Sequence, residues 1–504
     1  EVKRMVVIMS VLAFALLFVA AMNYILNSVS SLPIRARSVG VHKCNGASSK
    51  DIFNMFLFET AALFVVALVC MALLLFAFRE YVADMVAVPT LGTLLNAQTI
   101  WLPAIMILAI FILSALLPAR LFSVIPVTQV FRVSTSGKQG WKRSLLFIQF
   151  GGIAFVITLL VIVLLQYDRL MNNDLGYDPE NIVYAPLNNM DDQKAAKLTA
   201  EFKKLPYVTA TGLSSMDILS GYGGFPILDN EKNWLFTARQ VNYDADYLSL
   251  MKIPLLEGQP LKGDGDILVN ESFVSKRGWT DAAIGKYIYD DEGNLKGKIV
   301  GVTRDFMVNS FFTPQLPVIM FGSDRMSYCN FTVRVSELTP EYLREMNDKI
   351  AELFPNEDVG FTVLKTIIES QYEGTRHFRD GVFVASIAIL LITLMGLLGY
   401  ITDEMHRRSK EIAIRKVNGA TAPNILRLLS KDVLITAFPA ILLGVIASRV
   451  VGESWLRQFA DKIPLTVFIF ISTALLVLAI IWGCVILKSW NIANENPVRS
   501  IKNE

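Results

Sequence analysis

The stretch SLLFIQFGGIAFVITLLVIVLLQ, Ser144 to Gln166, runs for 23 residues without a charged side chain. An α-helix rises ~1.5 Å per residue, so about 20 apolar residues cover the hydrocarbon core of a bilayer. Six further runs compare with it, near 5–27, 53–78, 100–121, 381–402, 432–450 and 465–487, and together they predict seven membrane spans. Buried core helices are the alternative, but the uncharged length of Ser144–Gln166 and an apolar content of 53% oppose it. The run at 5–27 is too long for the apolar part of a secretory leader and has no convincing cleavage site, so it is also read as a span.

The net charge of +2 speaks against a nucleic-acid partner, and its distribution matters more than its size. Loops 28–50, 122–143, 403–431 and 488–504 carry 18 Lys and Arg, whereas loops 79–99 and 451–463 carry three. Basic loops stay in the cytoplasm, which places the first four inside. The alternation closes over seven spans only if 167–380 faces outward, and long segments cross largely regardless of their own charge. Cys44, Cys70, Cys329 and Cys484 are scattered, with no disulfide framework and no metal spacing.

An internal repeat organises the membrane part. A shift of 373 positions lays Arg35–Ile52 on Arg408–Ile425, with Arg35/Arg408, Lys43/Lys416, Asn45/Asn418, Gly46/Gly419, Ala47/Ala420 and Ile52/Ile425 identical. About one identity in eighteen is expected by chance, so six mark a repeat. Pairs such as Arg37/Lys410, Val39/Ile412, Val41/Ile414 and Ser48/Thr421 keep their character, and NPVRSI at 496–501 echoes IPVTQV at 125–130. Each copy is a three-span unit, and parallel repeats of this kind pack as a pseudo-symmetric pair. The span at 144–166 belongs to neither copy. It follows the basic stretch GKQGWKR and delivers the chain to the outer segment. By symmetry, a first span and a first outer domain are expected to precede the opening EVKRM.

From 167 to 380 the composition becomes that of a soluble α+β domain. DDQKAAKLTAEFKKLP reads as a capped amphipathic helix, DILVNESFVSKRGW as a strand entering a helix, and KYIYDDEGNLKGKIVGVTRDF as a hairpin about Asp-Glu-Gly-Asn. NFTVRVS, TPEYLREMNDKIAELFP and DVGFTVL make strand, helix, strand, with Thr339-Pro340-Glu341 as a helix start. A last helix from about Lys365 is expected to run directly into the span at 381, and SGYGGFP (Ser220–Pro226) to connect two lobes.

The charged stretch RRSKEIAIRKVNGAT, Arg407–Thr421, lies between two spans. As a helix, Lys410–Val417 places Ala413, Val417 and Ala420 on one side and Glu411, Arg415 and Lys416 elsewhere. Asn418-Gly419 supplies a left-handed stop, and Thr421 with Pro423 caps the next helix, with Ser48 at the matching place in the first copy. The result is a helix-break-helix elbow at the inner membrane surface. Topological anchoring needs only positive charge, whereas this stretch keeps Asn-Gly-Ala in both copies and an acid among the bases of the second. A rigid elbow that presents one face to a cytoplasmic partner needs those details.

SKEIAIRKVNGAT resembles the motif of the FtsX-like permease family, the membrane subunits of mechanotransmitting ABC transporters that include the MacB and lipoprotein-releasing types. NPVRSIK at 496–502 is similar to the closing motif of that family, and ILVNESFVSKRGW with IGKYIYDDEGNLKGKIVGVTRDF resembles the MacB-type periplasmic core domain. The resemblance implies two FtsX-like three-span units at 1–132 and 381–504, a linker and fourth span at 133–166, and a periplasmic core domain at 167–380. It implies a non-catalytic subunit of the bacterial inner membrane, without cofactor or metal, that couples ATP hydrolysis on a separate cytoplasmic ABC ATPase to movement of the periplasmic domain. The client would be a peptide, an antibiotic or a lipoprotein-like molecule, with a periplasmic client or adaptor protein and membrane lipid as further partners. The implied ATPase-coupling residues are Arg408, Lys410, Glu411, Arg415, Lys416, Asn418, Gly419 and Ala420, with Arg35, Arg37, Lys43, Asn45, Gly46 and Ala47 in the first copy. That copy has Ser38 for the acid and His42 for an arginine, which implies an unequal grip.

No G-x-x-x-x-G-K-[ST] motif occurs, so ATP binding is assigned to another chain. His42, His377 and His406 are far apart, and the acidic stretches at Asp264–Asp266 and Asp290–Glu292 lack calcium-loop spacing and read as solvated turns. Glu59 and Asp432 hold matching places near the start of the outgoing helices, where capping the elbow or pairing with a base is favoured over an ion path. Two other readings stay open: a transmembrane regulator of a cell-wall hydrolase or sensor kinase, and an ion-driven carrier, for which Gln149, Gly151-Gly152 and Pro439 are the residues on offer.

Overall fold

The computed structural model describes residues 2–493 except 31, 86–95, 97–99, 124–139, 191, 220–222, 230, 280, 309–314, 323–327 and 356–357. The motif at 496–501 and its echo at 125–130 lie outside the described residues. The chain forms two compact units, one of Glu1–Tyr167, Thr375–Arg457 and Ile463–Glu504, the other of Asp168–Gly374 with Gln458–Lys462.

The first unit is helical. Its elements are α1 (Val2–Ser30), α2 (Leu32–Cys44), α3 (Ser49–Ala77), α4 (Arg79–Met85), α5 (Trp101–Ser123), α6 (Gly140–Asn172), α12 (Glu373–Arg407), α13 (Ser409–Val417), α14 (Ala422–Leu456) and α15 (Val467–Ala493), with the ends of α6 and α12 reaching into the second unit. Seven of them, α1, α3, α5, α6, α12, α14 and α15, are long and apolar enough to cross a membrane, one for each apolar run of the sequence.

Polar side chains inside this bundle are used for packing. Asn23 Nδ2 of α1 donates to the Ile392 carbonyl of α12 (2.7 Å), and a Cβ on Gly396 would stand 2.8 Å from Asn23 Oδ1 and 3.1 Å from Gln149 Oε1. Gly396 therefore lets α1, α6 and α12 meet closely. On the other side of α6, a Cβ on Gly444 of α14 would overlap the Gly151 carbonyl and lie 3.0 Å from Ala154 Cβ. Small residues that bring backbones together are the usual means of helix association in lipid, where apolar burial drives nothing. Gly151 thus serves a helix contact, and α14 runs through Pro439 without ending.

The second unit is the α+β domain. Its elements are β1 (Ile182–Met190), α7 (Asp192–Phe202), β2 (Val208–Ser214), β3 (Gly223–Leu228), β4 (Trp234–Tyr243), α8 (Tyr247–Met251), β5 (Leu255–Gly258), β6 (Asp266–Asn270), α9 (Glu271–Arg277), β7 (Tyr287–Tyr289), β8 (Leu295–Thr303), β9 (Val318–Gly322), β10 (Tyr328–Val335), α10 (Pro340–Leu353), β11 (Thr362–Val363) and α11 (Leu364–Gln371). One mixed sheet runs β11-β1-β10-β2-β4-β9-β6-β8-β5, with β3 added to β4 and β7 to β8. The pairs β4/β9 and β6/β8 are parallel and the others antiparallel. Two apolar clusters cover it. One gathers Phe202, Phe331, Met346 and Ile350, the other Phe225, Phe236, Phe273, Ile288 and Phe321.

Local chemistry explains the joints. Asn270, buried between β6 and α9, accepts from Phe273 N (3.1 Å) and Val318 N (2.8 Å) and donates to Asp305 Oδ1 (2.6 Å) and the Leu316 carbonyl (2.9 Å). It uses its amide fully and caps the helix at the same time. Thr339 accepts from Tyr342 N (3.2 Å) as the cap of α10. Three expectations need correction. DVGFTVL contributes only the two-residue β11. The final helix does not continue into the span: α11 ends at Gln371, Tyr372 leaves helical geometry at φ −104 and ψ 9, and α12 begins at Glu373. SGYGGFP is not wholly a connector, since from Gly223 it is β3, whose Phe225 and Ile227 alternate into the second cluster.

Candidate functional site

Each three-span unit carries an elbow. In the second, α13 is flanked by Arg408, where α12 breaks, and by Asn418 and Gly419. Gly419 takes φ +87 and Gly46 takes φ +93, the left-handed region in which a Cβ is costly, and nothing lies within 4 Å of a Cβ at either. Their role is conformational. The following helix starts at Ala422 after Thr421, which has the extended geometry of a cap but makes no side-chain cap bond. Ser48 in the first copy does more. Its Oγ accepts from Asp51 N (3.3 Å) and Asp51 Oδ2 accepts from Ser48 N (2.9 Å), a reciprocal capping box.

Glu59 and Asp432 pair with bases. Arg35 Nη1 donates to both oxygens of Glu59 (2.7 and 2.8 Å), linking α2 to α3. Arg408 Nη2 donates to Asp432 Oδ2 (2.6 Å), linking the α12–α13 joint to α14, and also pairs with Glu404 one turn back. The pairs occupy matching positions in the two copies, 35 with 408 and 59 with 432. Each folds an elbow back onto its own outgoing helix. Arg35 and Arg408, expected to couple to an ATPase, thus spend their charge within the elbow. The same holds for Lys43, whose ammonium donates to the Ser123 carbonyl at the end of α5 (2.8 Å).

Of the other expected residues, Glu411 and Arg415 are exposed and joined at 3.0 and 2.7 Å as an i, i+4 pair. Asn45, Gly46, Asn418 and Gly419 are exposed, while Lys416, Ala47 and Ala420 are partly buried. Arg37 and Lys410 lie within α2 and α13, and their side chains are outside the described residues.

On α13, Val417 is 70% exposed and Ile414 62%, while Ile412 is buried at 5%. The first copy repeats this, with Val39 at 1%, Val41 at 54% and Cys44 exposed. A helical period of 3.6 with one flank already claimed by Ile412 turns Ile414 and Val417 outward. The reading from Ala413, Val417 and Ala420 named Val417 but not Ile414, because spacing names a stripe without saying which side the protein covers. Ile414 and Val417 beside Glu411 and Arg415 make a mixed apolar and charged surface on a short, fixed helix. Among the described residues no group of three or more His, Cys, Asp or Glu could hold a metal ion.

No curated protein matches the chain. Among solved structures it is similar to the periplasmic region of MacB from Actinobacillus actinomycetemcomitans, at 13% identity and TM-score 0.30, covering 40% of this chain and 97% of that one. It is also similar to the extracellular domain of the noncanonic ABC-type transporter YknZ from Gram-positive bacteria, at 10% identity and TM-score 0.27, covering 36% and 99%. The family model described as FtsX-like permease C-terminal matches residues 10–127 and 383–497. Those two segments hold six of the seven spans and both elbows, and over them the chain carries the FtsX-like permease domain.

Proposed function

We propose that the chain is the permease subunit of a mechanotransmission-type ABC transporter in a bacterial cytoplasmic membrane. The FtsX-like permease domain implies a cytoplasmic ATPase partner. ATP binding on that partner moves the elbows, the membrane helices tilt, and the α+β domain changes its action on a periplasmic client. The observation that carries this reading is the build of the elbows. Each is folded back by its own ion pair, stopped by a glycine at positive φ, and left with apolar side chains uncovered at matching positions. Ile414 and Val417 between charged neighbours make a mixed surface of the kind a protein partner covers. Glu411, Arg415, Lys416 and the two apolar residues form the contact in the second copy. Lys43, Val41 and Cys44 hold the matching places in the first.

The test is capture of nucleotide-binding subunits with the tagged chain from native membranes. Glu411→Gln and, separately, Val417→Asp are expected to lower capture of an ABC ATPase by roughly tenfold, as removal of about 1.4 kcal/mol at an interface does. Unchanged capture in both variants would sink the assignment of this surface, and absence of any ATPase with the wild-type chain would sink the coupling reading itself. An ion-driven carrier would show neither dependence.

A further inference from the structure

The second elbow is also held from outside its own three-span unit. At the foot of α6, in its first turn, Lys142 Nζ sits 2.7 Å from Asp403 Oδ2 and Arg143 Nη2 sits 3.5 Å from Asp432 Oδ2. Asp403 and Glu404 are at the end of α12, Arg408 at its joint with α13, and Asp432 on α14. Three bases and three acids therefore draw α6, α12 and α14 together directly above α13. Glu404, Arg408 and Asp432, with Tyr400 and Val485, also line a small pocket at this point.

The placement of these charges argues that pairing is their purpose. A helix start carries partial positive charge and a helix end partial negative charge. Lys142 and Arg143 are bases at a helix start, and Asp403 and Glu404 are acids at a helix end. Each opposes the dipole of its own helix, and the contact of Lys142 with Asp403 relieves both helices. The positive-inside rule accounts for the bases but not for acids at the cytoplasmic end of a span. In the first copy the positions matching Asp403 and Glu404 are Ser30 and Ser31, so Asp403, the acid that meets Lys142, has no acidic counterpart there.

Higher up, α6 is fixed to α14, to α15 and to the segment between them. The Gly151 carbonyl meets Gly444, Thr158 Oγ1 lies 3.2 Å from Thr473 Oγ1 of α15, and Gln166 Oε1 accepts from Ile463 N (3.0 Å).

We propose that Lys142 and Arg143 are positioning residues that brace the second elbow through Asp403 and Asp432. The consequence for the ATPase rests on the coupling reading above, while the brace stands apart from it.

The full-length protein in lipid nanodiscs tests this. A nitroxide is attached at Val417→Cys or at the native Cys44, with the other native cysteines replaced by serine. Lys142→Glu is expected to raise nitroxide mobility at 417 by about twofold, to leave 44 unchanged, and to be reversed by adding Asp403→Lys, as a direct pair requires. Lys142→Gln serves where the charge reversal impairs folding, with the same direction at 417. Equal change at both labels, no change at 417, or no reversal by Asp403→Lys overturns the brace. ATPase capture is the second readout, expected to fall with Lys142→Glu and recover in the double variant. If the wild-type chain captures no ATPase, the coupling reading fails while the nitroxide result still decides the brace.

Discussion

Asp244, between β4 and α8, shows how one residue sets a pH dependence. Its Oδ2 accepts from Leu213 N (2.8 Å), while its Oδ1 is buried with no partner among the described residues. Burial pushes its carboxyl up to about 6, helped by the nearby charge of Asp246 and opposed by the Leu213 bond. A carboxyl that holds its proton more tightly when folded contributes stability that is complete below its unfolded value near 3.8. That contribution is lost as pH rises through about 6. Between pH 5 and 8 the α+β domain should lose about 1 kcal/mol. Hydrogen exchange of β2 and β4 in the full-length protein, corrected for intrinsic rates, should show the loss, and Asp244→Asn should flatten it. Equal slopes in wild type and variant would contradict the assignment.

At the scale of elements, the fourth span is the member whose packing can be tested most simply. Gly444 has no room for a side chain, because the Gly151 carbonyl and Ala154 Cβ occupy the space. Gly444→Leu must push α6 away from α14, with a loss on the order of 1–3 kcal/mol, the usual cost of overpacking. The expected result is a lower melting temperature in detergent, with the α+β domain keeping its protease-resistant core. Gly483→Leu is the control, since nothing lies within 4 Å of a Cβ there. Equal effects of the two would mean that α6 and α14 are not in contact.

For the whole molecule, the expected orientation places both elbows on the cytoplasmic side and the α+β domain outside. Cys44 is exposed in the first elbow, and Lys232 is exposed at the turn between β3 and β4. A membrane-impermeant maleimide should label Lys232→Cys in intact cells and spare Cys44, and should reverse that preference in inverted vesicles. Labelling of both sites from one side would break the topology and with it the coupling reading.

Seven spans, the elbows and five of the eleven strands of the α+β domain were legible in the sequence, because apolar length, Asn-Gly stops and alternation are local properties that do not depend on what packs where. Glu59 and Asp432 were visible as a matching pair for the same reason. Their partners were not assigned, since Arg35 and Arg408 stood among several bases and only the fold selects which one arrives at 2.6–2.8 Å. The exposed Ile414 and Val417, the bases of α6 at the second elbow, and Asp461 held by Arg169 (2.7 Å) and Asn173 (2.7 Å) involve either burial or residues hundreds of positions apart. Sequence determines which segments must leave water and where the chain must turn. Which charge meets which acid, and which apolar side chain is left uncovered, depends on distances that exist only once the helices are assembled.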